Sequence, residues 1–331
     1  MSGPLPMWGN PEYMGVLVDE VWLPLHIHKD KLMDGTWKDK DVVVYNPVEC
    51  RIPDTIGERG LTIPYFSYND LDVKSFKEYN ASINSTIPNI ADNISIEGWP
   101  WHWAWMTAMI SARQMNGKPD WIEPPTGDFT CLNNKIKPHR DLMWNLLSGC
   151  GLLNDSCTYV YRGITVDVVG DAIPDLGEIM IPEFYRYSLI DLINESDVEQ
   201  IFFTEKTWRA VLMGKIPLVF AAPNFYQAFQ QLGFQLHDEI DYSFDHITDD
   251  GFRADRIVDQ LINLKEYDII DLHHSTLDVR ENNFNRLMDV FMQERLPDWM
   301  LGDITPFKYM KENRKEFADM AKGWKDQHRD R

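Results

Sequence analysis

The sequence predicts an α/β protein whose C-terminal two-thirds is Rossmann-like, and three observations support that expectation. From Phe129 onward, short continuous apolar runs alternate with amphipathic stretches, as parallel strands buried on both faces and joined by helices require. The 331 residues suffice for two domains, each with its own core. The segment PDWIEPPTGD at 119–128 gathers three prolines and a glycine where the texture changes, which predicts an interdomain connection. The expected domains are 1–122 and 128–331.

The elements follow from these patterns in order. In the irregular first third, Val42–Tyr45 and Leu61–Tyr65 read as short strands, and Trp101–Gln114 as a largely buried helix. Trp99, Trp101, Trp103 and Trp105 alternate with period two, which suggests an extended stretch before that helix, its rings serving a core more than a sugar platform. Beyond the connection, Phe129–Asn133 is an expected strand, and His139–Leu147 a helix closed by Gly149 or Gly151. Thr158–Tyr161 and Tyr187–Ile193 are further strands, then come a helix opening at Thr204 and a strand at Pro217–Ala222. Asn224–Leu232 is a helix closed by Gly233, and Glu281–Glu294 and Phe307–Lys325 are helical segments.

Hydrophobic residues make up 44% and charged residues 25%, ordinary globular values. No apolar run of roughly 18 residues occurs, and no basic flank with an apolar stretch opens the chain, so a soluble cytoplasmic protein is expected, in the host cytoplasm if it is viral. The net charge of −20 opposes a broad grip on nucleic acid or anionic lipid. Cys50, Cys131, Cys150 and Cys157 form no CxxC pair, so reduced structural cysteines are expected.

The stretch FFTEKTWRAVLMGKIPLVF at 202–220 poses a question. Thr204 suits an N-cap and Glu205 suits the first turn, but Lys206 and Arg209 place positive charge near the positive end of the helix dipole. Two cations beside unpaired backbone N–H groups suit a bound anion such as a diphosphate, while an ordinary surface helix is the plainer alternative. A second basic loop, NNKIKPHR, carries Lys135, Lys137, His139 and Arg140 after the strand ending at Asn133. Both loops leave strand C-termini, where α/β sheets bind ligands, so their chemistry is expected to converge at one crevice.

The segment TEKTWRAVLMGKIPLVFAAPNF resembles the Thr-Glu-Lys block of GT-B glycosyltransferases related to the α1,3-fucosyltransferases. Upstream, LNNKIKPHRDLMWNLLSGCGLLNDSCTYVYRG is similar to a segment of glycosyltransferase-like proteins of phages and bacteria, and LGFQLHDEIDYSFD to a downstream piece of the same proteins. The resemblance spans about Phe129–Leu264. It implies two Rossmann-like domains facing a cleft and a metal-independent, inverting transfer of sugar from a nucleotide sugar to an acceptor hydroxyl. It also implies that Glu205 bonds the ribose, that Lys206 meets the diphosphate with Arg140 and Arg209 adding charge, and that Asn133, His139 and Thr204 line the pocket. Glu195 reaches the sugar or ribose in the same reading, and a GDP-sugar is mildly favoured over a UDP-sugar. The catalytic base then comes from the N-terminal domain, with Glu97 beside GWPWHWAW preferred and Asp19 and Glu20 equally defensible.

The partners expected are therefore a nucleotide sugar and a carbohydrate or other hydroxyl acceptor, with no further cofactor and no membrane. Transfer to a hydroxymethylated base in DNA is an alternative that the net charge disfavours, and an inactive carbohydrate-binding or structural module with the same fold is another. Asp70-Leu71-Asp72 matches a metal-holding DxD pattern, but such matches arise easily in an acidic chain. His26-x-His28 and His273-His274 lack recognisable further ligands, so no metal site is expected.

Overall fold

The computed structural model describes residues 15–19, 21–24, 28, 30–46, 62–63, 66–67, 71–80, 87–98, 100–101, 103–104, 107, 125–133, 136–153, 157–161, 164–167, 185, 187–293, 319 and 322–323. It is α/β and divides into two compact units, Met1–His102 with Glu294–Ala318, and Trp103–Gln293 with Asp319–Arg331. The division falls inside the Trp-rich stretch, ahead of the proline-rich segment at 119–128.

In the first unit, β1 (Gly15–Val18) and β2 (Val21–Pro24) form a hairpin. Asp19 opens its turn at φ 49°, a left-handed conformation that Asp tolerates better than most residues. A short helix α1 (Asp30–Met33) leads to β3 (Asp41–Asn46), and β4 (Thr62–Ile63) pairs with β5 (Phe66–Ser67). Then follow β6 (Ser75–Asn80), β7 (Ile87–Ala91) and β8 (Ile94–Gly98). The six-stranded sheet runs β2-β1-β3-β6-β8-β7, with β3, β6 and β8 parallel at its centre. Along β6, Phe76, Glu78 and Asn80 are buried while Ser75, Lys77 and Tyr79 are half-exposed, the alternation of a strand with one covered face.

The second unit holds the regular pattern expected from Phe129 onward. Its elements are β9 (Gly127–Asn133), α2 (Pro138–Gly149), β10 (Cys157–Tyr161), β11 (Ile164–Asp167), β12 (Ser188–Asn194), α3 (Glu205–Leu212) and β13 (Ile216–Phe220). After these come α4 (Phe225–Gln231), a 3-10 turn at Tyr242–His246, α5 (Asp250–Lys265), α6 (Ile269–Ser275) and α7 (Leu277–Gln293). The five-stranded sheet runs β11-β10-β9-β12-β13, parallel throughout except for the β10–β11 hairpin.

Strand pleating assigns the helices to faces. His139 of α2 and Arg253 of α5 both meet the Phe220 ring, and Lys265 of α5 lies 6.0 Å from the Phe129 ring, so α2 and α5 cover the face bearing Phe129 and Phe220. The opposite face bears Asp191, and α3 and α7 pack against each other there. Beneath α3, Trp208 packs against Phe203, Phe229 and Phe234 in an aromatic cluster that anchors the helix.

The helix expected from Trp101 to Gln114 is found at its described residues 101, 103–104 and 107. There Thr107 closes onto the Trp103 carbonyl at 2.7 Å, a helical i to i−4 bond, so the period-two Trp alternation does not make Trp101 and Trp103 extended. Two expectations change in detail. Helix α5 was not anticipated, and α7 begins at Leu277 rather than Glu281. Of the expected helix at 307–325, only 319 and 322–323 lie among the described residues, and they are helical.

The edge strand β13 is protected by one side chain. The Tyr226 hydroxyl accepts from the Val219 amide at 2.7 Å and donates to the Pro217 carbonyl at 2.8 Å, satisfying groups that would otherwise template another strand. Tyr226→Phe strands a buried donor and a buried acceptor, which predicts a loss of about 1–3 kcal/mol in urea unfolding. A loss near zero would mean that water satisfies those groups.

Candidate functional site

From β9 the chain steps outward to β10 and β11, then returns to the other side of β9 for β12 and β13. The strand order therefore reverses between β9 and β12, and the crevice outside their C-terminal ends is the favoured ligand position of such sheets. The two strands end in Asn133 and Asn194, both buried. The Asn194 amide donates to Asn133 Oδ1 at 3.2 Å, tying the two strand ends together.

Helix α2 opens on one side of this point. Pro138 occupies its first turn, and Lys137 is its N-cap without a side-chain cap bond. The Lys137 ammonium instead crosses to the Ser196 carbonyl. His139 Nε2 lies 3.0 Å from the Glu195 carbonyl, and since a carbonyl only accepts, this nitrogen carries the proton. Burial, then the neighbouring Arg140 charge, pushes the His139 imidazole down to about 4. It is therefore neutral at physiological pH. Arg140 itself is buried.

Helix α3 opens on the other side, and the loop before it is built around Glu195. This carboxylate has no exposure. It accepts from the Ser196 amide at 3.2 Å, the Thr204 amide at 3.2 Å, the Thr207 hydroxyl at 2.6 Å and the Thr204 hydroxyl. Burial raises its proton affinity, and Lys206, with an ammonium 3.9 Å away, opposes that rise. With both oxygens engaged inward, Glu195 is the brace of the loop in this structure.

Thr204 caps α3 as expected, its hydroxyl accepting from the Lys206 amide at 3.3 Å. The Lys206 ammonium donates to Glu205 at 2.8 Å, Thr204 at 3.0 Å and Ser196 at 3.2 Å. Two carboxylates thus offset the placement of this cation against the helix dipole. Glu205, though pushed up by burial, is held below its usual range by Lys206 and Arg209.

The structure thus gathers Asn133, His139, Arg140, Glu195, Thr204, Glu205 and Lys206 around the reversal point, while Arg209 turns elsewhere. Its guanidinium lies 4.9 Å from the Tyr185 ring, in a buried cluster with Asp191 and Lys215 on the face covered by α3. Tyr185 donates to Asp191, Thr130 reaches Asp191 at 3.1 Å, and the Lys215 ammonium binds the Ser188 carbonyl and hydroxyl. Burial pushes Asp191 up and Lys215 down, and each charge partly restores the other. Sequence reasoning missed this cluster because a lone Asp inside the apolar run SLIDLIN gives no sign of its partners.

Among the other candidates, Glu97 stands on β8 in an ion pair with Lys77, both about one-third exposed. Asp19 is an exposed turn residue paired with Lys40. Glu20, Asp70 and His26 lie outside the described residues. The His273 carbonyl and ring nitrogen serve Arg280, a structural use. Glu78, fully buried on β6 and accepting from Asn80 at 2.9 Å, is a carboxylate that sequence reasoning passed over. Among the described residues no group of three or more His, Cys, Asp or Glu could hold a metal, and no helix is long and apolar enough to cross a membrane.

A cavity of about 600 Å³ lies beside the C-terminal half of α5, lined by Asp238, Glu239, Asp241 and Glu266 among others. Its carboxylates repel phosphate, and it stands apart from the crevice. No family model, curated protein or solved structure matches the chain in comparisons with each.

The depressed His139 fixes a pH dependence. Between about 6.5, the unfolded value, and about 4, the unfolded chain binds a proton at this site that the folded chain refuses, so its contribution to stability falls as pH falls. His237, pushed down to about 3 by burial, acts with the same sign. Relative to wild type, His139→Gln should gain stability as pH is lowered from 6.5 to 4.5 in urea titrations. Parallel curves would contradict the assignment.

Proposed function

We propose that the protein is a metal-independent glycosyltransferase of GT-B type that binds a nucleotide sugar at the β9–β12 crevice and transfers the sugar to a hydroxyl acceptor. One observation supports this reading above the others: the openings of α2 and α3, with Lys137, His139, Arg140 and Lys206, meet at the point where strand order reverses. Positive charge and backbone N–H groups at that position suit a diphosphate. As the glycosidic bond breaks, negative charge grows on the departing nucleoside diphosphate, and Lys206, Arg140 and the helix amides stabilise it. The neutral His139 keeps Nδ1 as an acceptor. Glu97 remains the candidate base, and its use requires release from Lys77.

One finding favours a second reading, an inactive module that kept the fold. The three donors of Lys206 are all matched inside the protein, so the ammonium holds its place without a ligand.

Calorimetric titration with GDP, UDP and their sugars separates the two readings. The glycosyltransferase reading predicts binding of a nucleoside diphosphate, GDP ahead of UDP, and a loss of roughly tenfold to a hundredfold in Lys206→Met, the worth of one charged hydrogen bond. Absence of any nucleotide binding, with a carbohydrate bound instead, would establish the module.

A further inference from the structure

The proposed site contains a cation that is already neutralised. Lys206 lies between two carboxylates in different surroundings. Glu195 has no exposure and is fixed by Ser196, Thr204 and Thr207, so it cannot leave without dismantling the loop. Glu205 keeps 23% of its side chain exposed and sits in the first turn of α3, on the solvent side of the same ammonium. Its carboxylate accepts from the Lys206 ammonium at 2.8 Å and is drawn more weakly by the Arg209 charge. A rotation about its side-chain bonds would carry it into water at the cost of that one ion pair.

We propose that Glu205 is an exchangeable counter-ion of Lys206: it masks the ammonium in the free protein, and a phosphate group enters by taking the carboxylate's place. Glu195 stays behind as the fixed partner that keeps Lys206 in position. The inference rests on the phosphate-binding reading of the crevice and adds a gate to it. The other groups facing the pair are consistent with such an exchange. Arg209, four residues on in the same helix, supplies a charge that continues to attract Glu205 after it leaves Lys206. Ser196 and Thr204 offer Lys206 two neutral acceptors that persist throughout. The ammonium therefore trades one anionic partner for another and is never left bare.

Such a mask acts by population. Apparent affinity equals intrinsic affinity multiplied by the fraction of molecules in which Lys206 is unmasked, and this factor is the same for every ligand. The isosteric change Glu205→Gln removes the mask. It should tighten inorganic phosphate and inorganic pyrophosphate by the same factor, on the order of tenfold, the scale of a 1.4 kcal/mol bias. A simple change in local field would instead scale with ligand charge and favour pyrophosphate.

The experiment is calorimetric titration of the full chain with phosphate and with pyrophosphate, for wild type, Glu205→Gln and Lys206→Met. Equal tightening of both anions in Glu205→Gln, with both weakened in Lys206→Met, is the expected result. Tightening that is larger for pyrophosphate, or none, while Lys206→Met still weakens binding, overturns the mask and leaves the phosphate site standing. If neither anion binds any of the three proteins, the phosphate site and the mask fall together.

Discussion

A carboxylate with no access to water, at the tip of a central strand, sets the shape of everything around it. Burying an ionised Glu costs several kcal/mol unless its lone pairs are filled. Glu195 fills them with two amides and two hydroxyls, and each of those donors belongs to a segment that must be placed accurately. The Ser196 amide starts the loop, the Thr204 amide and hydroxyl fix the N-cap of α3, and Thr207 fixes its first turn. The Glu195 backbone extends the same role, since its amide bonds Phe220 and its carbonyl meets His139. One residue thus ties β12, β13, α2 and α3 into a single rim.

Helix α3 joins two electrostatic environments of different kinds. Its N-terminus carries Lys206 at the partly open rim. Its middle carries Arg209, buried with Tyr185, Asp191 and Lys215. The buried group is held by the hydrogen bonds of Asp191 and Lys215 and by two cation–π contacts to Tyr185, although Arg209 Nε has no partner of its own among the described residues. Its fixed charges, together with Trp208 in the aromatic cluster, pin the helix against the sheet. The proposed exchange at the rim thus leaves the packed body of the helix in place.

Much of this was legible in the chain. The continuous apolar runs of β9, β12 and β13 identified buried parallel strands, Thr204 identified a helix start, and Pro138 identified another. The two basic loops were recognisable because they interrupt an acidic sequence. Helix α5 was missed although Ala254, Ile257, Val258, Leu261 and Leu264 recur on one face and Asp249 caps its first turn through the Phe252 amide. In the first unit β3 was legible at Val42–Tyr45, but the rest of the sheet was hidden. Its strands are short and half-polar, as in SFKEYN, so only pairing with neighbours defines them. The division of duties among charges was not legible at all. Arg209 and Lys206 sit three apart on one helix, yet one is packed into the core and the other faces the rim, and Glu195 reads as an ordinary loop acid until its burial is known.

The central claim is that Glu195 holds the rim together. Hydrogen exchange at single-amide resolution on wild type and Glu195→Gln tests it most directly. Gln offers one acceptor where two oxygens served four donors. The account predicts a well-protected Thr204 amide in wild type, and in the variant a loss of protection at Ser196, Thr204 and Lys206 while β9 and β12 exchange as before. Unchanged protection at Thr204 would contradict it, because the loop would then be shaped by something other than this carboxylate.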